Sequence, residues 1–232
     1  MFFILFVSHS IQGGYDHRLE DNVQTLSNLV SAVVSHSLTY NILSPHTLPP
    51  SASALLLHPQ VSNDPQVYFL LNFTTTQRSA LLQNPSTLAL LYTPTNEHFG
   101  IVPIEAMACG LPVLACNSGG PTESIISSPP HPLADRTGWL KDPVPEVWAE
   151  TLIEIVSLDS SARQTLSECA KKRATETFSM EAMAKGLEEA LRDAEEMGDV
   201  DAWVVEVIRI VVVVTVGFLL AYFGSPFLTG RQ

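Results

Sequence analysis

Short apolar runs that do not alternate with polar positions dominate the first half of the chain. Met1–Val7 (MFFILFV), Val67–Leu71 (VYFLL), Leu88–Tyr92 (LALLY) and Pro112–Cys116 read as central strands of a parallel sheet, where both faces are covered and alternation is lost. Met1–Val7 has no basic residue ahead of it and is short for a secretion signal, so it is read as a buried strand. Between the runs, Thr75 predicts the cap of a short helix over Gln77–Leu82. Pro103 opens a second helix that ends near Cys109, where Gly110 stops it, and a Gly-Gly-Pro turn leads to a third near Thr122–Ile126. Strand, helix, strand in this order predicts an α/β fold with a Rossmann-like parallel sheet. The stretch 44–64 (SPHTLPPSASALLLHPQVSND) is rich in Pro and Ser, which predicts a long surface insertion.

After Pro145 the period changes to that of helices. Val147, Trp148, Leu152, Ile155 and Val156 share one face, a second helix follows Ser160 or Ser161, and a third runs from an N-cap at Ser179 to about Met197, before Gly198. Met183, Leu187 and Leu191 form a stripe on this third helix, and Met180 and Met183 are expected to fill gaps in a core. From Ile210 to Leu228 there is no charged residue over 19 positions, about one bilayer crossing. Arg209 and Arg231 suit its interfacial ends, while Gly224, Ser225 and Pro226 weaken its last turn.

Composition narrows the partners. The 232 residues are 46% hydrophobic and 16% charged, which excludes general disorder. With 24 acidic against 12 basic residues the net charge is -12, so nucleic acid held by phosphate contacts is not expected. Basic residues are sparse early on: Arg18 and Arg78 alone precede Asp135. Cys109, Cys116 and Cys169 form no C-x-x-C pair, which argues against a structural zinc site or a disulfide framework and suits a reducing compartment.

The informative stretch runs from Leu91 to Ile125, LYTPTNEHFGIVPIEAMACGLPVLACNSGGPTESI, where Glu97 and Glu105 lie eight positions apart. Glu97 falls in a loop after a strand, Gly100 gives the backbone room, and Pro103 suits the first turn of the helix that contains Glu105. Such a loop delivers exposed N–H groups and the positive end of a helix dipole at the carboxyl edge of parallel strands, where α/β sheets bind phosphate-bearing ligands. Glu105 has a plain reading as a dipole-stabilised helix residue, worth ~0.3–1 kcal/mol. It has another as a grip on the neighbouring hydroxyls of a ribose. Glu97 is suited to sugar hydroxyls, or to opposing positive charge at an anomeric carbon. His98 lacks a charged partner and is read as a positioning or packing residue.

These residues resemble the retaining nucleotide-sugar glycosyltransferases with two Rossmann-like domains (GT-B, glycosyltransferase family 4), whose signature is a Glu, seven residues and a second Glu. The runs GGYDHRLEDN (Gly13 to Asn22), YTPTNEHFGIVPIEAM (Tyr92 to Met107) and NSGGPTESI (Asn117 to Ile125) are similar to the endoplasmic-reticulum α-1,3/1,6-mannosyltransferases of dolichol-linked oligosaccharide assembly. TGWL (Thr137 to Leu140) and the apolar C-terminus agree with that family.

The resemblance implies the C-terminal, donor-binding half of such an enzyme. Residues 1–198 would be a nucleotide-sugar-binding domain interrupted by the 44–64 insertion, 199–209 a juxtamembrane segment and 210–228 a transmembrane or membrane-embedded helix. It implies mannose transfer from GDP-mannose to dolichol-diphosphate-linked GlcNAc2 and ManGlcNAc2, α-1,3 then α-1,6, with no cofactor and no metal. The partners would be other ER mannosyltransferases and the ER membrane, with the catalytic domain facing the cytosol.

Carried onto this chain, Glu97 is the catalytic carboxylate at the mannose, Glu105 contacts the ribose, and the amides of Phe99, Gly100, Ile101 and Val102 meet mannose hydroxyls and the distal phosphate. Gly13 and Gly14 line the donor cleft. The family also places an Arg and a Lys just upstream of the Gly-Gly pair; no basic residue precedes Gly13, which leaves Arg18 as the diphosphate contact. Together with the missing acceptor half, this leads to the expectation of a truncated product or a mis-joined gene model. The rival reading is a non-catalytic, membrane-anchored module of a mannosyltransferase assembly. A nicotinamide dehydrogenase is rejected for want of G-x-G-x-x-G after a strand. Asn72-Phe73-Thr74 matches a glycosylation acceptor by chance.

Overall fold

The computed structural model describes residues 3–7, 15–127, 135–197 and 202–228, with the side chains of 3–7, 202 and 221–228 excepted. By internal contacts the chain divides into Met1–Ser179 and Met180–Gln232. The first unit contains strands β1 (Phe3–Val7), β2 (Tyr40–Leu43), β3 (Val67–Leu70), β4 (Thr87–Tyr92), β5 (Val113–Cys116) and β6 (Gly138–Lys141). Its helices are α1 (Glu20–Ser35), α2 (Pro50–Leu55), α3 (Thr75–Leu82), α4 (Ile101–Ala108), α5 (Pro121–Ser124), α6 (Pro145–Ser157) and α7 (Ser160–Phe178).

A four-stranded sheet runs in the order β1-β4-β5-β6, and β2 pairs with β3 in a second sheet; every pairing is parallel. The strand, helix, strand run β3-α3-β4 therefore does not close into one sheet as expected. Both hydrogen-bonding edges of β4 are taken, by β1 and β5, so β3 finds its partner in β2.

The loss of alternation in β4 and β5 follows from double-sided burial. Leu90, Tyr92, Val113 and Ala115 pack into a core with Val102, Met107, Ala170 and Ala174, on the side of α4 and α7. Ala89, Leu91 and Leu114 face the opposite way, onto Trp139, Ile155 and Leu166. Each face holds every second residue of the same strand.

A third core lies under the β2–β3 sheet and corrects the reading of 44–64. Pro49 and Pro50 start α2 instead of blocking it, since Pro is tolerated in a first turn. Ala52 is fully buried with Tyr40 and Ile42, and Leu48, Leu55, Leu56 and Val61 pack against them. The Tyr40 hydroxyl donates to the Leu55 carbonyl, and Tyr40 bridges to Val61. The segment is part of the fold because its Leu and Ala residues carry a core contribution that the Pro and Ser content obscured.

Further boundaries moved by a residue or two. Thr74, not Thr75, caps α3, through a reciprocal capping box with Gln77. Asp159 caps α7 by accepting from the Ala162 amide at 2.8 Å. On α6, Thr151 and Ile155 are buried while Val156 is exposed.

The second unit contains α8 (Met180–Met197) and α9 (Ala202–Leu228). The expected stripe exists but is not core: Met180, Met183, Leu187 and Leu191 are 70%, 59%, 58% and 61% exposed. An amphipathic stripe declares a face suited to burial, and burial needs a partner the helix itself does not supply. In α9 helix already covers Ala202 to Arg209, expected as a juxtamembrane segment, and Trp203–Leu220 is long and apolar enough to cross a membrane.

Candidate functional site

Because β1, β4, β5 and β6 are parallel, the loops after β4 and β5 leave the sheet on one edge, the carboxyl edge. The two loops are bonded to each other. The Gly120 amide donates to the Glu97 carbonyl at 2.7 Å, and the Asn96 amide donates to the Ser118 hydroxyl at 3.1 Å. Gly119 sits at φ 61, and a side chain there would collide with the Glu97 carbonyl. The conformation of Glu97 therefore depends on the glycine turn of the neighbouring loop.

From Glu97 the chain passes through exposed Phe99 to Gly100, a left-handed N-cap at φ 78 that supplies no capping side chain to α4. The first N–H groups of a helix have no intrahelical acceptor, so this end offers amides and positive dipole to a ligand. Ile101 is exposed, whereas the Val102 side chain is buried, so Val102 has only its backbone to offer. Phe99 stacks edge-on to Phe178 of α7, and the Arg173 guanidinium lies over that ring while donating to the Glu123 and Ser124 carbonyls at 2.6 Å each.

Under the loop lies Tyr92, the last residue of β4 and 6% exposed. Its hydroxyl donates to the Glu97 carboxylate at 3.4 Å, a long bond, and burial with the charge of Glu97 pushes its pKa up to about 12. Glu105 stands one turn into α4. Arg78 of α3 donates to its Oε1 at 2.8 Å, and Oε2 is buried without a partner among the described residues. The carboxylate is thus held through one oxygen, with the other buried and unpaired among the described residues.

The structure gathers Glu97, Phe99, Gly100, Ile101, Val102 and Glu105 on one loop and helix at the carboxyl edge. Gly13 and Gly14 lie outside the described residues. Arg18 is not brought to the acidic pair. It forms a bidentate pair with Asp16, at 3.0 and 2.7 Å, that holds the Asp16 pKa down to about 2. A carboxylate two positions away pairs with the guanidinium, whose side chain stays 79% exposed. His98 is exposed rather than packed. The Asn72 side chain is engaged, accepting from the Tyr15 amide and donating to the Tyr15 carbonyl at 2.6 and 3.1 Å.

Tyr92 and Arg78 escaped the sequence reading. Tyr92 looked like the end of an apolar strand. Arg78 had one signal, as one of the two cations that precede Asp135, set in the first turns of a predicted helix. A cavity of about 320 Å³, lined by Asn84, Cys109, Leu158, Arg163 and Ser167 among others, opens at the opposite, amino edge of β4 and β5, away from this constellation.

Parallel strands, a glycine-bearing bend at their carboxyl edge and an uncapped helix N-terminus define a Rossmann-like α/β protein. The family described as Glycosyl transferases group 1 matches residues 56–173, and the chain belongs to it. It is 39% identical over 186 residues to the Neurospora crassa alpha-1,3/1,6-mannosyltransferase alg-2, covering 78% of this chain and 36% of that protein. With the Saccharomyces cerevisiae alpha-1,3/1,6-mannosyltransferase ALG2 it shares 36% identity over 180 residues, 77% of this chain and 35% of the other. The chain spans about a third of the length of these curated relatives. Sucrose-phosphate synthase from Thermosynechococcus elongatus superposes with a TM-score of 0.51 at 21% identity, over 84% of this chain and 46% of that one. A glycosyltransferase from Rickettsia africae does so with 0.51 at 18%, over 82% and 47%. The fold is that of the GT-B glycosyltransferases, an α/β Rossmann-like body, as expected.

Proposed function

We propose that this chain is the donor-binding part of a retaining mannosyltransferase. It takes mannose from GDP-mannose, without a metal, and passes it to dolichol-diphosphate-linked GlcNAc2 and then ManGlcNAc2, by α-1,3 and α-1,6 linkages. The reading includes the cytosolic face of the ER membrane, with α9 as the anchor. One observation carries it: two carboxylates flank an uncapped helix N-terminus, and the second has a buried oxygen without a partner among the described residues.

The α4 amides would meet the distal phosphate and sugar hydroxyls, Glu105 the ribose, and Glu97 the mannose, where its charge opposes the positive charge that builds at the anomeric carbon. The support for mannose is the activity named for the fungal relatives. Transfer of labelled mannose to a synthetic lipid-linked chitobiose, in the presence of a chelator, tests the reading. Product is expected from the wild type and not from Glu97→Gln or Glu105→Gln. In calorimetry Glu105→Gln weakens GDP, whereas Glu97→Gln spares GDP and weakens GDP-mannose. Identical affinities in all three proteins remove both roles.

A second reading, a non-catalytic membrane-anchored module of a mannosyltransferase assembly, is favoured by the pairing of Arg18 with Asp16, a carboxylate with which a diphosphate would have to compete. It expects the wild type to yield no product above the Glu→Gln controls.

A further inference from the structure

Among the described residues Arg78 is the cation that touches the acidic pair, and its geometry assigns it a task. The capping box of Thr74 and Gln77 fixes the start of α3, and the Arg78 amide donates to the Thr74 carbonyl at 2.9 Å, so the side chain leaves from a locked first turn. It crosses to α4 and holds Glu105 Oε1 at 2.8 Å, with side-chain exposures of 26% for Arg78 and 31% for Glu105. A half-buried carboxylate left without such a partner would rotate about its terminal torsions toward water. With Oε1 clamped, Oε2 stays in a buried position that offers acceptor lone pairs to a hydroxyl.

We propose that Arg78 is a positioning residue. It acts through Glu105, keeping one carboxylate oxygen aimed at the ribose of a nucleoside diphosphate, and does not itself contact the phosphates. Two features separate this from a plain tie between α3 and α4. A tie needs no second oxygen held without a partner, and a tie asks for no capping box to lock the turn from which the cation leaves. The orphan Oε2 gives the clamp a purpose. The proposal rests on the assignment of Glu105 to the ribose made above, and it adds to that assignment the group that makes the carboxylate selective.

The test is calorimetry on the full chain with GDP, 2′-deoxy-GDP and 3′-deoxy-GDP as probes, using wild type, Arg78→Lys, Arg78→Ala, Glu105→Gln and the Arg78→Ala/Glu105→Gln double variant. Wild type is expected to prefer GDP to its deoxy analogues by about tenfold or more, the worth of a hydrogen bond to a charged group. Arg78→Ala brings that ratio close to one, and Arg78→Lys, which keeps a donor and a charge, restores part of it. The double variant binds GDP no more weakly than Glu105→Gln alone, because Arg78 acts through Glu105.

An Arg78→Ala protein that keeps the ribose preference overturns the proposal, as does a double variant whose losses add. Should Arg78→Ala fail to fold, Arg78→Lys carries the test, since a geometric role predicts a reduced ratio and a purely structural one predicts the wild-type ratio. If Glu105→Gln binds GDP as wild type does, the ribose assignment itself fails and takes this proposal with it. That outcome differs from a weakened Glu105→Gln beside an unchanged Arg78→Ala ratio, which overturns the positioning role alone.

Discussion

Tyr92 shows how one buried hydroxyl ties the sheet to the loop that carries the chemistry. Its ionisation is displaced upward to about 12, by burial first and by the Glu97 charge second. Below the ordinary tyrosine value near 10 the group is neutral whether the chain is folded or unfolded, so its contribution to stability is intact there. As pH rises from about 10 to about 12 the unfolded chain ionises Tyr92 and the folded one resists, so stability falls across that window. Tyr92→Phe is expected to flatten this part of the wild-type denaturation profile; an unchanged slope in urea titrations at pH 9 to 11.5 would refute the role. Glu97 and Glu105 stood out in the sequence through their resemblance to a Glu, seven residues, Glu signature, since their spacing alone also allows an ordinary helix residue. What they bond to was not legible, because Tyr92 belongs to the preceding strand and Arg78 to a helix 27 positions from Glu105.

At the scale of elements, the bend is built by two loops at once. Gly119 holds a left-handed conformation with the Glu97 carbonyl where its side chain would stand. Gly119→Ala is therefore expected to cost ~1–3 kcal/mol in chemical denaturation and to displace the Glu97 loop, which weakens donor binding beyond the loss of stability. A variant with wild-type stability and affinity would contradict the coupling. The α3 capping box gives a milder case: Thr74→Ala should cost ~0.5–2 kcal/mol and loosen the turn that presents Arg78. Strands β4 and β5 were readable from their apolar runs, because burial on both faces is recorded in composition. The helix within 44–64 was not, since two prolines hide a start that they in fact permit.

For the whole molecule, the open matter is what α9 does. Trp203–Leu220 meets the length and hydropathy of a bilayer crossing, and the membrane reading makes a direct prediction. A charge at its centre, Val213→Lys, costs ~2.5–3.5 kcal/mol at a bilayer midplane and should move the chain from the membrane pellet to the supernatant after an alkaline wash. Release of the wild type itself into the supernatant by the same wash would count against insertion.

The strands β1, β3, β4 and β5, the helices from α3 onward, the parallel class of the sheet and the acidic pair around Gly100 could be read from the sequence, because burial, turn chemistry and charge are local properties written residue by residue, whereas α1, β2, α2 and β6 could not. The split into two sheets, the fate of Arg18 and Arg78, and the exposure of the α8 stripe were decided only in three dimensions. Each depends on which partner a strand edge, a guanidinium or an apolar face meets first, and competition among partners distant in the chain leaves no trace in the spacing of any one segment.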